Sequence, residues 1–168
     1  VTEIDLVSQN LRYLLDKVEQ AAVQLSYDLP ARRYYTVGGA VYDCEQVVVS
    51  AMSSDPGIVS ADPGAINLLG NCDASWNGVF EATIVLCAAE GITTRTGSYT
   101  PPPVEDVMLD ADRMSGAYAV LRTAVENIAT DQTLGAPSGR ITFGQPQGGL
   151  IACSLNINTN VWYYTEAP

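Results

Sequence analysis

A chain of 168 residues and 17.9 kDa is sized for a single domain, 1–168, burying about 70% of its unfolded surface. Nineteen acidic residues against eight basic ones give a net charge of -11, which disfavours tight binding to phosphate backbones or to anionic membrane surfaces. The absence of histidine removes the commonest general base and metal ligand, and no 18-residue apolar run is present to cross a membrane.

The first predicted element is a helix. Ile4, Val7, Leu11, Leu14, Leu15, Val18, Ala21, Ala22 and Leu25 recur at helical spacing. Thr2 and Asp5 resemble a capping box, and Ser26 to Pro30 end the run. Arg32 to Val37 is β-branched and aromatic and meets Gly38-Gly39, which reads as a strand and a turn. A second strand is expected over Asp43–Met52. Residues 53–78 read as a long irregular insertion holding two Asp-Pro-Gly turns, at Asp55 and Asp62.

Val79 to Glu90 is apolar on both faces, as in a central strand. Gly91 to Ser98 reads as a loop, and Pro101-Pro102-Pro103 leads into a second helix. There Val107, Ala111, Met114, Tyr118, Leu121, Val125 and Ile128 alternate by four and three, which predicts a narrow buried stripe. Asp131 to Gly139 reads as a loop and Arg140 to Gly144 as a strand. The last strand alternates apolar and polar residues from Leu150 to Tyr164, roughly 50 Å if straight, which calls for a bend, a bulge or a neighbouring subunit. Helix, two strands, long loop, strand, helix and two strands predict an α+β class. We expect a mostly antiparallel sheet paired by hairpins, with both helices on one face.

The four cysteines, Cys44, Cys72, Cys87 and Cys153, contain no C-x-x-C pair, so a zinc site is not expected. Val1 to Asp5 is acidic and amphipathic, unlike a signal peptide, and reduced thiols are expected. Gly38-Gly39 and Gly148-Gly149 lack the following helix of a dinucleotide site, and no phosphate-loop pattern occurs. Carboxylates cluster at Glu105, Asp106, Asp110 and Asp112, where they suit the first turns of a helix better than acid–base catalysis. Asp43, Glu45 and Asp73 are the candidates for a hard cation, without a calcium-loop pattern around them. No catalytic, cofactor-binding or metal site is expected. Instead Arg32, Arg33, Tyr34 and Tyr35, with Trp162, Tyr163 and Tyr164, are residue types that anchor protein interfaces.

Three segments carry a resemblance: Pro30 to Gly38, Asp43 to Val49, and Pro146-Gln147-Gly148-Gly149 before the final strand. Together they resemble neck proteins of siphovirus-type actinobacteriophages, which have long non-contractile tails. The element order, over roughly residues 3–165, is similar to that of tail terminator proteins. The resemblance implies a virion protein, assembled in the host cytoplasm, that forms a homo-oligomeric ring, a hexamer in that family. Such a ring caps the tail tube, stops polymerisation of the major tail protein and docks to the head-tail connector or stopper protein. An acidic ring would let DNA pass its lumen without specific binding. The insertion at 53–78 and the prolines before the second helix exceed the minimal pattern. They keep a head-completion or stopper protein, or a tail tube subunit, as alternatives. Rivals from other classes are a small hydrolase using Asp or Glu, and a monomeric acidic binding module.

Overall fold

The computed structural model of the chain describes residues 6–55, 74–131 and 138–163. Thr2, Asp5, both prolines of the Asp-Pro-Gly turns, Cys72, Asp73 and Tyr164 lie outside the described residues, as does most of the loop expected after Asp131.

Helix α1 spans Leu6–Gln24 and buries Leu11, Leu14, Val18, Ala21 and Ala22 along one face. Its end is a Schellman motif: Tyr27 N–H donates to the Ala22 carbonyl and Ser26 N–H to that of Val23. That closure puts Ser26 in the left-handed region at φ 50°, a position glycine ordinarily fills. Strand β1 (Arg32–Val37) follows, then β2 (Gln46–Asp55), β3 (Ala74–Cys87) and a small hairpin, β4 (Ile92–Thr93) with β5 (Tyr99–Thr100), where a loop was expected. Helix α2 (Val104–Asp131) is about 42 Å long. Strands β6 (Ser138–Phe143) and β7 (Leu150–Tyr163) complete the chain.

The main sheet has the order β1-β2-β3-β7-β6, antiparallel except for β1 with β2, and both helices pack on it: the α+β class expected. Strand β3 is matched to β7 at all fourteen positions, from Ala74 opposite Tyr163 to Cys87 opposite Leu150. The overlong last strand therefore finds its partner inside the chain. That pairing draws 74–78 into β3, while β2 runs on to Asp55, so the expected 53–78 insertion is strand at both ends. Beyond Asn77 in β3 and Asn158 in β7 no further strand flanks the ladder among the described residues. A two-stranded ribbon thus projects from the sheet.

On the helix-facing side, Val47, Val49 and Ala51 of β2, Phe80, Ala82, Ile84 and Leu86 of β3, and Ile151, Cys153, Leu155 and Ile157 of β7 form the core. Each large side chain buried there stabilises the fold by about 1.5–3 kcal/mol. α2 meets this core through Met114, Ala117, Val120, Leu121, Ala124 and Ile128. The stripe is wider than the expected heptad line because α2 touches α1 as well as the sheet. Tyr118 moves to the rim, where its ring stacks on Phe143 at 5.7 Å, and Val107 and Ala111 overhang the sheet in solvent. Gly116 leaves the space in which the Tyr27 ring lies, and the Tyr27 hydroxyl donates to the Arg113 carbonyl at 3.1 Å.

Hairpin pairing fails at one place. β1 and β2 are parallel, with Arg32 beside Gln46 and Val37 beside Ala51. Eight residues, 38–45, carry the chain back across the second face of the sheet. Extended, they span about 26 Å, enough to retrace a strand of about 20 Å without a helical crossover. Gly38 starts the return at φ 84°. The Val41 carbonyl accepts from the Tyr34 hydroxyl and from Gln46 Nε2, while the Tyr42 hydroxyl donates to Glu81 Oε1 at 2.7 Å. A disulfide between Cys44 and Cys87, Cα atoms 4.8 Å apart, fixes the returning segment to the end of β3. Reduced thiols were expected for both, so this pairing is a correction: the parallel return brings the two residues together, which no local spacing announces. Under the loop, Gln46, Val48, Ser50, Thr83 and Val85 are buried although they face away from the helices.

Two stability measurements test this account. Ser26→Gly, by relieving a left-handed L-residue, should raise the urea unfolding free energy by up to about 1 kcal/mol. The double variant Cys44→Ser, Cys87→Ser should lose about 2–4 kcal/mol, the amount expected for opening a loop of this length; reduction of the native chain should give the same loss.

Candidate interaction surfaces

The cationic quartet lies on β1, at the free edge of the sheet. Arg33, Tyr35 and Val37 point to the helix side and Arg32, Tyr34 and Thr36 to the other, as the strand register requires. Arg33 is bound to its own subunit. Its Nε donates to the Pro30 carbonyl at 2.8 Å, and Nη1 pairs with Glu19 at 3.3 Å. The Tyr35 hydroxyl accepts from Arg12 Nε at 2.9 Å, and the Arg12 guanidinium lies over the Tyr35 ring. Arg32 stacks on Tyr34 and reaches Asp43 at 3.5 Å, with both partners well exposed. Beside them Val37 and Val41 are 71% and 84% exposed. This flank is an aromatic ledge of paired arginines with apolar side chains in solvent.

Trp162 and Tyr163 sit opposite Ser75 and Ala74 on the projecting ribbon, beyond the reach of β1, which ends where Val37 meets Ala51. The structure therefore does not gather the aromatic end and the Arg-Tyr quartet into one site. Tyr164 lies outside the described residues.

A second surface, which the sequence reading missed, lies at the end of the sheet where β3 and β6 finish and β7 begins. The first turns of α2 overhang the sheet, and a groove of about 430 Å³ opens between them and the β6–β7 turn. Val107, Ala111, Met114, Phe143, Pro146 and Ile151 line it. On other faces of the same turns Val104, Met108 and Leu109 are 68%, 63% and 59% exposed. Glu105, Asp106 and Asp112 share these turns but do not line the groove, and no cation precedes Arg113 in α2. The signal for it was the run Val107-Met108-Leu109: three adjacent apolar residues cannot share one face of a helix. The heptad pattern hid it by assigning Val107 to the core.

The remaining candidate carboxylates hold the scaffold. Glu45 accepts from Arg113 Nη2 at 2.7 Å and from the Cys87 N–H at 3.2 Å. Asp43 accepts from the Cys44 N–H at 2.8 Å, and Asp110 from the Ala89 N–H at 2.6 Å. Among the described residues no three His, Cys, Asp or Glu side chains come together as metal ligands. Burial pushes the Cys153 thiol up to about 11, which keeps it protonated and unreactive at neutral pH. No helix among the described residues is long and apolar enough to cross a membrane.

No known protein family matches this chain, and no curated protein matches it either.

Lys17 is the remaining cation of the α1 side, and it is committed within the subunit. It pairs with Asp131 at the end of α2, and Tyr13 donates to the same carboxylate at 3.0 Å. The hydrogen bond from Lys17, then that from Tyr13, holds the Asp131 carboxyl below its ordinary 3.8, and the same contact raises Lys17 above 10.5. A depressed carboxyl stabilises the fold above its unfolded value and loses that contribution as pH falls through its folded value. The raised lysine stabilises below 10.5 and loses its contribution only as pH rises past its folded value. The pair is therefore silent at neutral pH and titrates away in acid. The urea midpoint of the native chain should fall more steeply below about pH 4 than that of Asp131→Asn.

Proposed function

We propose that this chain is an assembly subunit, a protein that acts through what it packs against and performs no bond chemistry. One observation carries the reading: two exposed surfaces of the sheet are unlike, the β1 edge rich in arginine and tyrosine, the groove at the start of α2 mainly apolar. Unlike faces suit head-to-tail contacts, which close into rings. Among the described residues no strand pairs with the outer side of β1 or of β6.

Within that class, the reading is the tail terminator of a siphovirus-type phage neck. In this role a homo-oligomeric ring, a hexamer, caps the tail tube, meets the major tail protein on one side and takes the head-tail connector or stopper protein on the other. The resemblance of residues 30–38, 43–49 and 146–149 supports it, as does the α+β element order. The net charge of -11 fits a lumen that repels passing DNA. The projecting β3–β7 ribbon is a ready contact arm for a neighbour along the tail axis. A head-completion protein would share the flanks. A tube subunit is disfavoured by two helices that cover one face of the sheet.

Native mass spectrometry of the full chain, alone and with the major tail protein, tests the proposal. A closed ring that arrests tube growth is the expected result. A monomer that leaves tube polymerisation unchanged would end this reading in favour of an acidic binding module.

A further inference from the structure

We propose that the disulfide between Cys44 and Cys87 is a reversible redox latch. Closed, it holds residues 38–45 over the second face of the sheet; opened by a dithiol, it frees that loop while the core stays folded. The inference goes beyond the assembly reading and stands whether or not a ring forms. Apart from the bond, the loop has little to hold it. Gly38, Gly39 and Val41 to Cys44 are exposed, and no residue of 38–45 belongs to the core beneath the helices. The noncovalent ties among the described residues are polar. Tyr34 and Gln46 donate to the Val41 carbonyl, Tyr42 donates to Glu81, and Asp43 meets Arg32 at 3.5 Å. Glu45 closes the loop by accepting from Arg113 Nη2 and from the Cys87 N–H. Exposed polar contacts of this kind each contribute little.

The two residues after Cys44 show what the bond keeps in place. Glu45 lies in the left-handed region at φ 57°, which an L-residue disfavours. Gln46 is fully buried beneath the loop, and among the described residues no donor reaches its Oε1. Features of this sort persist where the surrounding structure over-determines them, and the adjacent cross-link does so here. Opening it lets Glu45 return to an ordinary backbone conformation and Gln46 Oε1 reach water. Gly38, at φ 84° with its N–H on the Ala51 carbonyl, hinges the other end of the loop. Lifting the loop about these ends uncovers Val48 and Val85, both buried on the closed face.

The chemistry is thiol–disulfide exchange with a dithiol as reductant. Cys44 is exposed and Cys87 half-buried, so a thiolate of the dithiol attacks Cys44 Sγ. The S–S bond breaks, and its electron pair leaves on Cys87 Sγ, which takes up a proton. The second sulfur of the dithiol then attacks the mixed disulfide and expels Cys44 as a thiolate, which is protonated in turn. Two electrons and two protons pass to the protein, and the dithiol ends as its own disulfide. Reducing surroundings thus keep the loop free, and oxidising ones keep it latched.

Limited chymotrypsin digestion of the native chain, with and without dithiothreitol, tests this alongside hydrogen exchange. Cleavage after Tyr42, whose flanking residues all belong to the loop, should be at least about tenfold faster in the reduced chain. Exchange at the Cys87 amide should rise, while α1, α2 and the middle of β3 stay protected. Reoxidation with oxidised glutathione should restore resistance. Cys44→Ser, at an exposed position, should be cut at the reduced rate with or without dithiothreitol. Equal cleavage of the oxidised and reduced native chains would overturn the inference. So would a bond that dithiothreitol leaves intact in the folded chain, loss of protection throughout both helices on reduction, or resistance that reoxidation does not restore. None of these outcomes bears on whether the chain forms a ring, which native mass spectrometry reads separately.

Discussion

Burial of the β3 side chains Phe80, Ile84 and Leu86 in one core with Leu121 and Ile128 of α2 is the interaction that positions everything else. The sheet offers its helices one strongly apolar face, and both helices must share it. That need fixes where α2 lies, and a helix of 28 residues then runs past the sheet at its start. The overhang is what exposes Val107 and Ala111 and opens the groove against the β6–β7 turn. At the β1 edge, α1 reaches β1 through Arg12 to Tyr35 and Glu19 to Arg33. Both proposed contact faces are consequences of one core.

The second face of the sheet follows a different logic. Thr36, Ser50, Glu81, Asn156 and Arg140 form one row across all five strands, and Tyr34, Val48, Thr83, Ser154 and Thr142 form the next. Such rows can stay wet. The Thr83 hydroxyl shares a hydrogen bond with Ser154 and donates to Glu81, which also accepts from Tyr42. Among the described residues the half beneath residues 38–45 is the one sealed, and there the cross-link between Cys44 and Cys87 replaces the apolar packing a second helical layer would have supplied. Among the described residues, two helices and one short loop thus cover a five-stranded sheet.

Much of this was legible in the residues. Alternation located β7, helical spacing located both helices, and Ser26 to Pro30 marked the end of α1. What escaped depends on long-range geometry. The pair Gly38-Gly39 signals a reversal but not its direction. Whether the chain pairs back as a hairpin or crosses the sheet is decided by Tyr34, Tyr42 and Gln46 gripping the returning loop. The disulfide belongs to that same crossing. The groove was hidden because a periodic pattern shows which helix residues could be buried, and only the sheet's extent shows which ones are. Of the sequence's interface candidates, Arg32, Arg33, Tyr34 and Tyr35 do share one edge. Trp162 and Tyr163 lie on the ribbon instead, apart from them.

The central ladder has a consequence for synthesis. Cys87 and Leu150 face each other across the ladder but stand 63 positions apart, with α2 and β6 between them. On the ribosome, β1, β2 and β3 can therefore emerge and pair while one side of β3 has no strand to receive it. Fourteen residues of backbone, unpaired on that side, then wait for β7. During that interval the nascent chain is at its most vulnerable to joining the wrong strand, and crowded overproduction should favour inclusion bodies over native protein.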